Sequence, residues 1–190
     1  SGMSPSYTVY YAGASKKKKS NKKTKSVDIV AAIASAIIKN TTNGNIGYMV
    51  VNSTEYAVGC IAWTGSAAAE LLKKVASKNA SASKQIVGDK TYKKITTNKT
   101  CKQSDYTASQ VLSIKRLLST EESRQIQAQY LLDSIKSNIN TAQKYYTDPK
   151  TVAFAVTIML QFKEYTKQFP KGVGKDAGLK TFYKAFKSTN

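Results

Sequence analysis

The sequence predicts a mainly α-helical (α+β) fold of roughly seven helices with one small β-hairpin. Three observations lead to this prediction. Beyond residue 27, apolar residues recur at steps of three and four over several long stretches, which is the period of an amphipathic helix. Capping residues and glycine-containing polar turns separate these stretches. Residues 46–63 differ, because β-branched and aromatic residues flank a polar turn there, as in a β-hairpin.

Length and composition indicate a single folded domain. The chain has 190 residues, which is about the size of one domain, and 41% of them are hydrophobic. No run of about 18 apolar residues occurs, so no transmembrane segment is expected.

Residues 1–26 are predicted to form a flexible, Lys-rich segment ahead of a domain at 27–190. Seven lysines and no acidic residue lie between positions 16 and 25, and their mutual repulsion opposes folding. The segment is either a solubilising linker or an electrostatic tether to an anionic surface. The tether lysines are Lys16, Lys17, Lys18, Lys19, Lys22, Lys23 and Lys25.

The first elements of the domain are a helix and the hairpin. The helical pattern begins at Val27 and stops at the polar, glycine-containing stretch 40–45. Residues 49–51 and 56–61 are the predicted strands, and residues 52–54 are the turn between them.

A second helix is predicted over residues 66–77, with Ser66 as its capping residue. Residues 78–105 are polar and poorly periodic, so no element is assigned to them. The next helix is predicted to start at Asp105 or Thr107.

Three helices are predicted in the C-terminal part. Ser119 and Glu122 have the spacing of a capping box at the start of a long helix. Asp148, followed by a proline, starts a helix that is apolar on several sides and should therefore be central. A last amphipathic helix is predicted over residues 179–186.

The chain has only two cysteines, Cys60 and Cys101, and no histidine. The cysteines either form one disulfide or remain as two buried free thiols, and we favour the thiols. The absence of histidine excludes Ser-His-Asp and Cys-His catalysis and argues against a classical zinc site. We therefore expect no metal and no cofactor.

Two stretches of the chain carry a resemblance. The first is 48–72, where an apolar strand ends on the only tryptophan, a glycine follows, and a helix of small residues begins. The second is 118–162, with a Gln-rich turn and a late apolar helix. Together they resemble phage-type lysozyme-like cell-wall (peptidoglycan) hydrolases with a degenerate catalytic motif. The residues that carry the first stretch are Asn52, Glu55, Gly59, Ile61, Trp63, Gly65, Ala68, Leu71 and Leu72.

The resemblance implies a lysozyme-like helical fold and a peptidoglycan ligand. It also implies a catalytic acid at the end of the first helix, but residues 39–44 contain no carboxylate. Because a hydroxyl is far too weak an acid to replace it, catalysis is expected to be weak or lost.

Glu55 is the candidate catalytic residue, because it is the one acid in the right neighbourhood. An ordinary exposed loop glutamate is the other interpretation. The candidate substrate-binding residues are Tyr48, Asn52, Tyr56 and Trp63, although core packing also accounts for Trp63 and turn formation for Asn52.

Three functions remain open at this point. The first is a glycosidase of the lysozyme type that acts on peptidoglycan, from a phage particle or a cell-wall-penetrating machine. The second is a non-catalytic cell-wall-binding or structural module. The third is a basic nucleic-acid-binding protein, favoured by a net charge of +19.

The kind of basic residue bears on this choice. Lys supplies 28 of the 30 basic residues, and Arg116 and Arg124 are the remainder. Lys suits a diffuse polyanion, whereas Arg prevails in sequence-specific nucleic-acid recognition. We therefore expect peptidoglycan or another anionic wall polymer as the partner, with virion or secretion-machine subunits as further candidates, and no specific nucleic acid. The expected location is extracellular, facing the cell wall, or on a virion.

Overall fold

The structure is a computed structural model that describes residues 22–161, together with Lys180 and Lys184. Within this part lie seven α-helices and one two-stranded antiparallel sheet. The predicted mainly α-helical fold with one small hairpin is confirmed. The elements are α1 (Lys22–Thr41), β1 (Met49–Asn52), β2 (Glu55–Val58), α2 (Gly65–Lys78), α3 (Ala80–Val87), α4 (Asp89–Thr97), α5 (Ala108–Leu118), α6 (Glu121–Ala142) and α7 (Pro149–Gln161).

The described residues divide into two compact units. Residues Ile37–Tyr130 form the first unit, and residues 22–36 with 131–161 form the second. In the first unit, α2 packs against β2, α3, α4 and α5. Its core is built from the apolar face of α2 and from residues of β2, α4 and α5. The largest of these fully buried side chains are Leu71, Leu72, Ile95, Ile114 and Leu118.

The N-terminal helix begins earlier than expected. It starts at Lys22, so residues 22–26 of the segment predicted to be flexible are helical. The rest of that segment, including Lys16 to Lys19, lies outside the described residues. The helix ends at Thr41, inside the polar stretch that the sequence marked as its stop.

The hairpin is present as predicted. Its strands pair in the register Met49 with Val58 and Asn52 with Glu55, which leaves a two-residue turn. Ser53 in this turn adopts a left-handed φ of 62°. The segment after α4 continues the pairing on the other side of β2, because the Tyr56 N–H donates to the Cys101 carbonyl at 2.8 Å.

Two short helices, α3 and α4, occupy the stretch to which no element was assigned. Asn79 caps α3, since its side chain accepts a hydrogen bond from the Ala82 N–H at 3.1 Å. Gly88 separates the two helices with a left-handed φ of 83°. The Asn79 cap and the Gly88 turn, together with tertiary packing, allow two helices to form here despite the low apolar content of the segment.

Two predicted caps are wrong by one or two residues. Helix α2 starts after Thr64, so Ser66 lies inside it. Helix α6 starts after Thr120, whose hydroxyl accepts from the Ser123 N–H at 3.2 Å. Ser119 is not the capping residue, because its hydroxyl donates to the Lys115 carbonyl of α5 instead.

Two other predicted caps are confirmed. Thr107 and Gln110 form a reciprocal capping box at the start of α5. The Asp148 carboxylate accepts from the Thr151 N–H at 2.9 Å at the start of α7. The expected last helix lies outside the described residues, except for Lys180 and Lys184, which are helical.

The second unit has its own apolar interior. Residues on every side of α7 are buried or half-buried, as the apolar pattern predicted. The buried side chains come from α1, α6, α7 and the loop before α7. They include Val30, Ile33, Leu131, Ile135, Ile139, Tyr146, Val152, Val156 and Met159.

Candidate functional site

The corner between β2 and α2 places Trp63 in the core of the first unit. Val58 and Trp63 exchange two backbone hydrogen bonds of 2.8 and 2.9 Å, so the chain reverses sharply between them. Gly59 makes this reversal possible with a left-handed φ of 81°. The Trp63 side chain is only 5% exposed and meets the Tyr130 ring edge-on, with 5.2 Å between the ring centroids. The indole therefore packs in the core and offers no exposed ring face for stacking on a sugar.

Two threonine hydroxyls occupy the end of α1, where the resemblance implies a catalytic acid. The Thr41 hydroxyl donates to the Ile37 carbonyl at 2.6 Å. The Thr42 hydroxyl donates to the Cys60 carbonyl at 2.5 Å. The Thr41 hydroxyl also lies 3.3 Å from the Cys60 carbonyl, so both groups connect the end of α1 to the corner. Neither is a proton donor of the strength that glycoside cleavage needs.

Glu55 lies at the start of β2 and is half-buried. A side-chain carbon built on Gly65 would lie 3.8 Å from Glu55 Oε2, so the carboxylate lies beside the first residue of α2. Negative charge at a helix N-terminus is stabilising, which gives Glu55 a structural role in addition to any chemical one.

A buried thiol lies close to Glu55. Burial, together with the charges of Asp105 and Glu55, raises the pKa of Cys101 to about 12. Both carboxylates therefore lie in one neighbourhood. Asp105 is already engaged, since its Oδ2 accepts from the Lys102 N–H at 2.8 Å. Cys60 is also buried, and both cysteines are free thiols, as favoured from the sequence.

The other candidate residues are spread along the hairpin. Asn52 is exposed and lies directly opposite Glu55, so these two are brought together. Tyr48 is half-buried at the other end of the hairpin. Tyr56 is 8% exposed, and its ring lies 6.4 Å from that of Tyr106. Buried Tyr56 and Trp63 present little surface to a glycan in this state.

A polar pocket of about 380 Å³ lies elsewhere in the first unit. It is lined by the turn 43–47, Ser119 and Arg124. Neither Glu55 nor Trp63 lines it. The sequence did not predict this pocket, because its two sides lie more than 70 residues apart in the chain.

The first unit carries a strongly basic stretch, which we call the lysine surface. Nine lysines and only one acidic residue, Asp89, lie between positions 73 and 102. All of these lysines are exposed except the half-buried Lys94. The members are Lys73, Lys74, Lys78, Lys84, Lys90, Lys93, Lys94, Lys99 and Lys102.

Three of these lysines lie over tyrosine rings. The Nζ atoms of Lys74, Lys84 and Lys94 lie 6.0, 5.0 and 6.0 Å from the ring centroids of Tyr130, Tyr92 and Tyr106. Such cation–π contacts stabilise by about 0.5–1 kcal/mol at exposed sites and restrict where the ammonium group lies. This basic stretch spans three helices and a loop, whereas the electrostatic tether predicted from the sequence was placed on the N-terminal lysines.

Among residues 22–161, no cluster of three or more His, Cys, Asp or Glu side chains is placed to hold a metal ion. None of the helices described is both long enough and apolar enough to cross a membrane.

No family model, curated protein or solved structure matches this chain. The resemblance to lysozyme-like hydrolases therefore stays a prediction drawn from the residues themselves.

Proposed function

We propose that this chain binds an anionic polymer of the bacterial cell wall through its lysine surface and does not hydrolyse the glycan. The observation that carries the proposal is the run of nine lysines against one acid between positions 73 and 102, where every lysine lies on α2, α3, α4 or the following loop. The cell wall is proposed as the target because the lysozyme-like resemblance implies peptidoglycan as the ligand.

The chemistry of lysine favours a diffuse partner. Each ammonium group is a hydrated point charge on a flexible stem, suited to a polymer whose charges are not rigidly spaced. Only Arg116 and Arg124 supply planar guanidinium groups, and neither belongs to the lysine surface. Attraction of this kind acts over about 8 Å at physiological ionic strength and weakens as salt is added.

Three features favour binding without hydrolysis. Hydroxyls rather than a carboxylate occupy the end of α1. Trp63 is packed against Tyr130. Glu55 lies beside the N-terminus of α2, where its charge has a structural use. General acid catalysis contributes about 10²–10⁴-fold, so losing its donor removes most activity.

The test incubates the full chain with purified Gram-positive cell walls and with the same walls stripped of their anionic polymers. The bound fraction and the reducing sugar ends released into solution are measured in the same tubes. We expect strong binding to intact walls, weaker binding to stripped walls and no release above a buffer control.

Release of reducing ends that disappears in Glu55→Gln would instead establish a lysozyme-type hydrolase. Equal binding to both wall preparations would remove the anionic polymer as the target. Binding to one DNA sequence in preference to others at physiological salt would favour the nucleic-acid alternative, whereas non-specific DNA binding would not, since any polycation shows it.

A further inference from the structure

The polar pocket beside the turn 43–47 is shaped in advance. Asn43 and Gly44 adopt left-handed φ values of 53° and 82°, which bends the chain sharply. The Asn45 side chain accepts a hydrogen bond from the Gly47 N–H at 3.0 Å. A side-chain carbon on Gly47 would overlap the Ser119 hydroxyl, so a residue without a side chain is required there.

Gln127 fixes one wall of the pocket from the interior. Its side chain is fully buried and donates to the Ile46 carbonyl and to the Ser123 hydroxyl, each at 3.0 Å. Its carbonyl oxygen accepts from the Cys60 N–H at 2.9 Å. Because these bonds hold the turn in place, a ligand would lose little free energy to ordering the pocket.

Arg124 gives the pocket its charge. Its side chain is 26% exposed, and its Nε lies 3.4 Å from Oε2 of Glu121, whose side chain is 58% exposed. A guanidinium group is a planar fork that matches the oxygens of a carboxylate or a phosphate. The exposed Glu121 carboxylate already pairs with this group. An incoming anion would therefore have to displace Glu121 or share the Arg124 guanidinium with it.

We infer that this pocket binds a small polar ligand through its carboxylate or phosphate group, with Arg124 as the anion-binding residue. Asn43, Asn45 and Ser119 supply polar groups around the rest of the ligand. The volume of about 380 Å³ falls at the small end of ligand pockets and admits a single sugar acid or a glycerol phosphate. The pocket shares no residue with the lysine surface, so this inference stands apart from the proposed function.

The test follows backbone amide NMR shifts of the full chain during titration. The probes are glycerol 3-phosphate and glucuronate, with glycerol and glucose as uncharged counterparts. We expect saturable shifts at Gly44 and Gly47 for at least one anion, with a dissociation constant in the millimolar range, and none for the uncharged pair. Which of the two anions saturates identifies the ligand as a phosphate or a carboxylate.

Two variants should move the affinity in opposite directions. Arg124→Lys keeps the charge but loses the fork, so we expect about tenfold weaker binding. Glu121→Gln removes the competing carboxylate, so we expect tighter binding. A variant with Lys73, Lys78, Lys93 and Lys99 changed to Gln should bind the small anion as the wild type does.

Several results would overturn the inference. These are no saturable shift for either anion, equal shifts for the uncharged probes, unchanged affinity in Arg124→Lys, or weaker binding in Glu121→Gln. Loss of the small-anion shifts in the four-lysine variant would also count against the pocket, because it would place the anion on the lysine surface.

Discussion

At the scale of single residues, Gly59 and Gly88 have nearly equal left-handed φ values of 81° and 83°. Comparing alanine substitutions at the two sites therefore separates the cost of backbone strain from the cost of steric overlap. A side-chain carbon on Gly59 would lie 2.9 Å from Leu71 and from the Trp63 ring, whereas one on Gly88 would meet nothing within 4 Å. We expect Gly59→Ala to lower the free energy of unfolding by about 3 kcal/mol and Gly88→Ala by about 1 kcal/mol. Urea denaturation measures both, and equal losses would contradict the crowded corner.

A second residue-scale prediction concerns the buried amide of Gln127. Changing Gln127 to Ala leaves the Cys60 N–H and the Ile46 carbonyl without their partner, and we expect a loss of about 3 kcal/mol. Gln125 lies two residues earlier in α6 and is exposed, so Gln125→Ala is the matched control, with an effect within about 0.5 kcal/mol. Similar chemical-denaturation midpoints for the two variants would refute the structural role of Gln127.

The raised pKa of Cys101 has a consequence for stability. In the folded chain the thiol keeps its proton up to about pH 12, whereas in the unfolded chain it ionises near pH 9. Above pH 9 the unfolded state thus binds fewer protons, and stability falls as the pH rises. We expect the wild type to lose stability relative to Cys101→Ala as the pH rises from 8 to 10.5. A pH-independent difference would show that the thiol is not held neutral.

At the scale of elements, the start of α7 depends on one side chain. Hydrogen bonds from the Thr151 N–H and hydroxyl, both 2.9 Å, hold the pKa of Asp148 below its usual value. The stabilisation is present above the ordinary aspartate pKa and is lost as the pH falls through the native one. We expect Asp148→Ala to unfold at a lower temperature than the wild type at pH 7, with Asn at this position retaining most of the stability. The difference between wild type and Asp148→Ala should become smaller in acid, and a difference that does not change with pH would exclude a charged cap.

The elements also show what the sequence can predict. The hairpin, Thr107 and Asp148 were predictable because their signals are local and strong. Helices α3 and α4 were not, since their buried positions are Ser83, Val87, Thr91 and Ile95. That four-residue spacing is helical, but two of the four residues are polar, so an apolar count overlooks it. The available signal was the spacing of four residues itself, with serine and threonine counted as possible core residues.

At the scale of the whole molecule, features that lie within one stretch of sequence could be predicted, whereas sites built from distant segments could not. Glu55, Asn52 and Trp63 were identified from a continuous stretch, and the structure shows Asn52 and Glu55 side by side on the hairpin. The polar pocket joins segments that are separate in the chain, whereas the lysine surface is one continuous stretch of sequence, positions 73–102. No local pattern could have revealed the contact between Gly47 and Ser119.

Binding of intact cell walls through the lysine surface is tested by comparing two four-lysine variants of equal net charge. One changes Lys73, Lys78, Lys93 and Lys99 of the lysine surface to Gln. The other changes Lys39, Lys136, Lys144 and Lys150, which are exposed elsewhere. We expect the first variant to lose at least tenfold in affinity at low salt, while the second stays near the wild type. Equal losses would contradict it, because binding would then follow total charge alone.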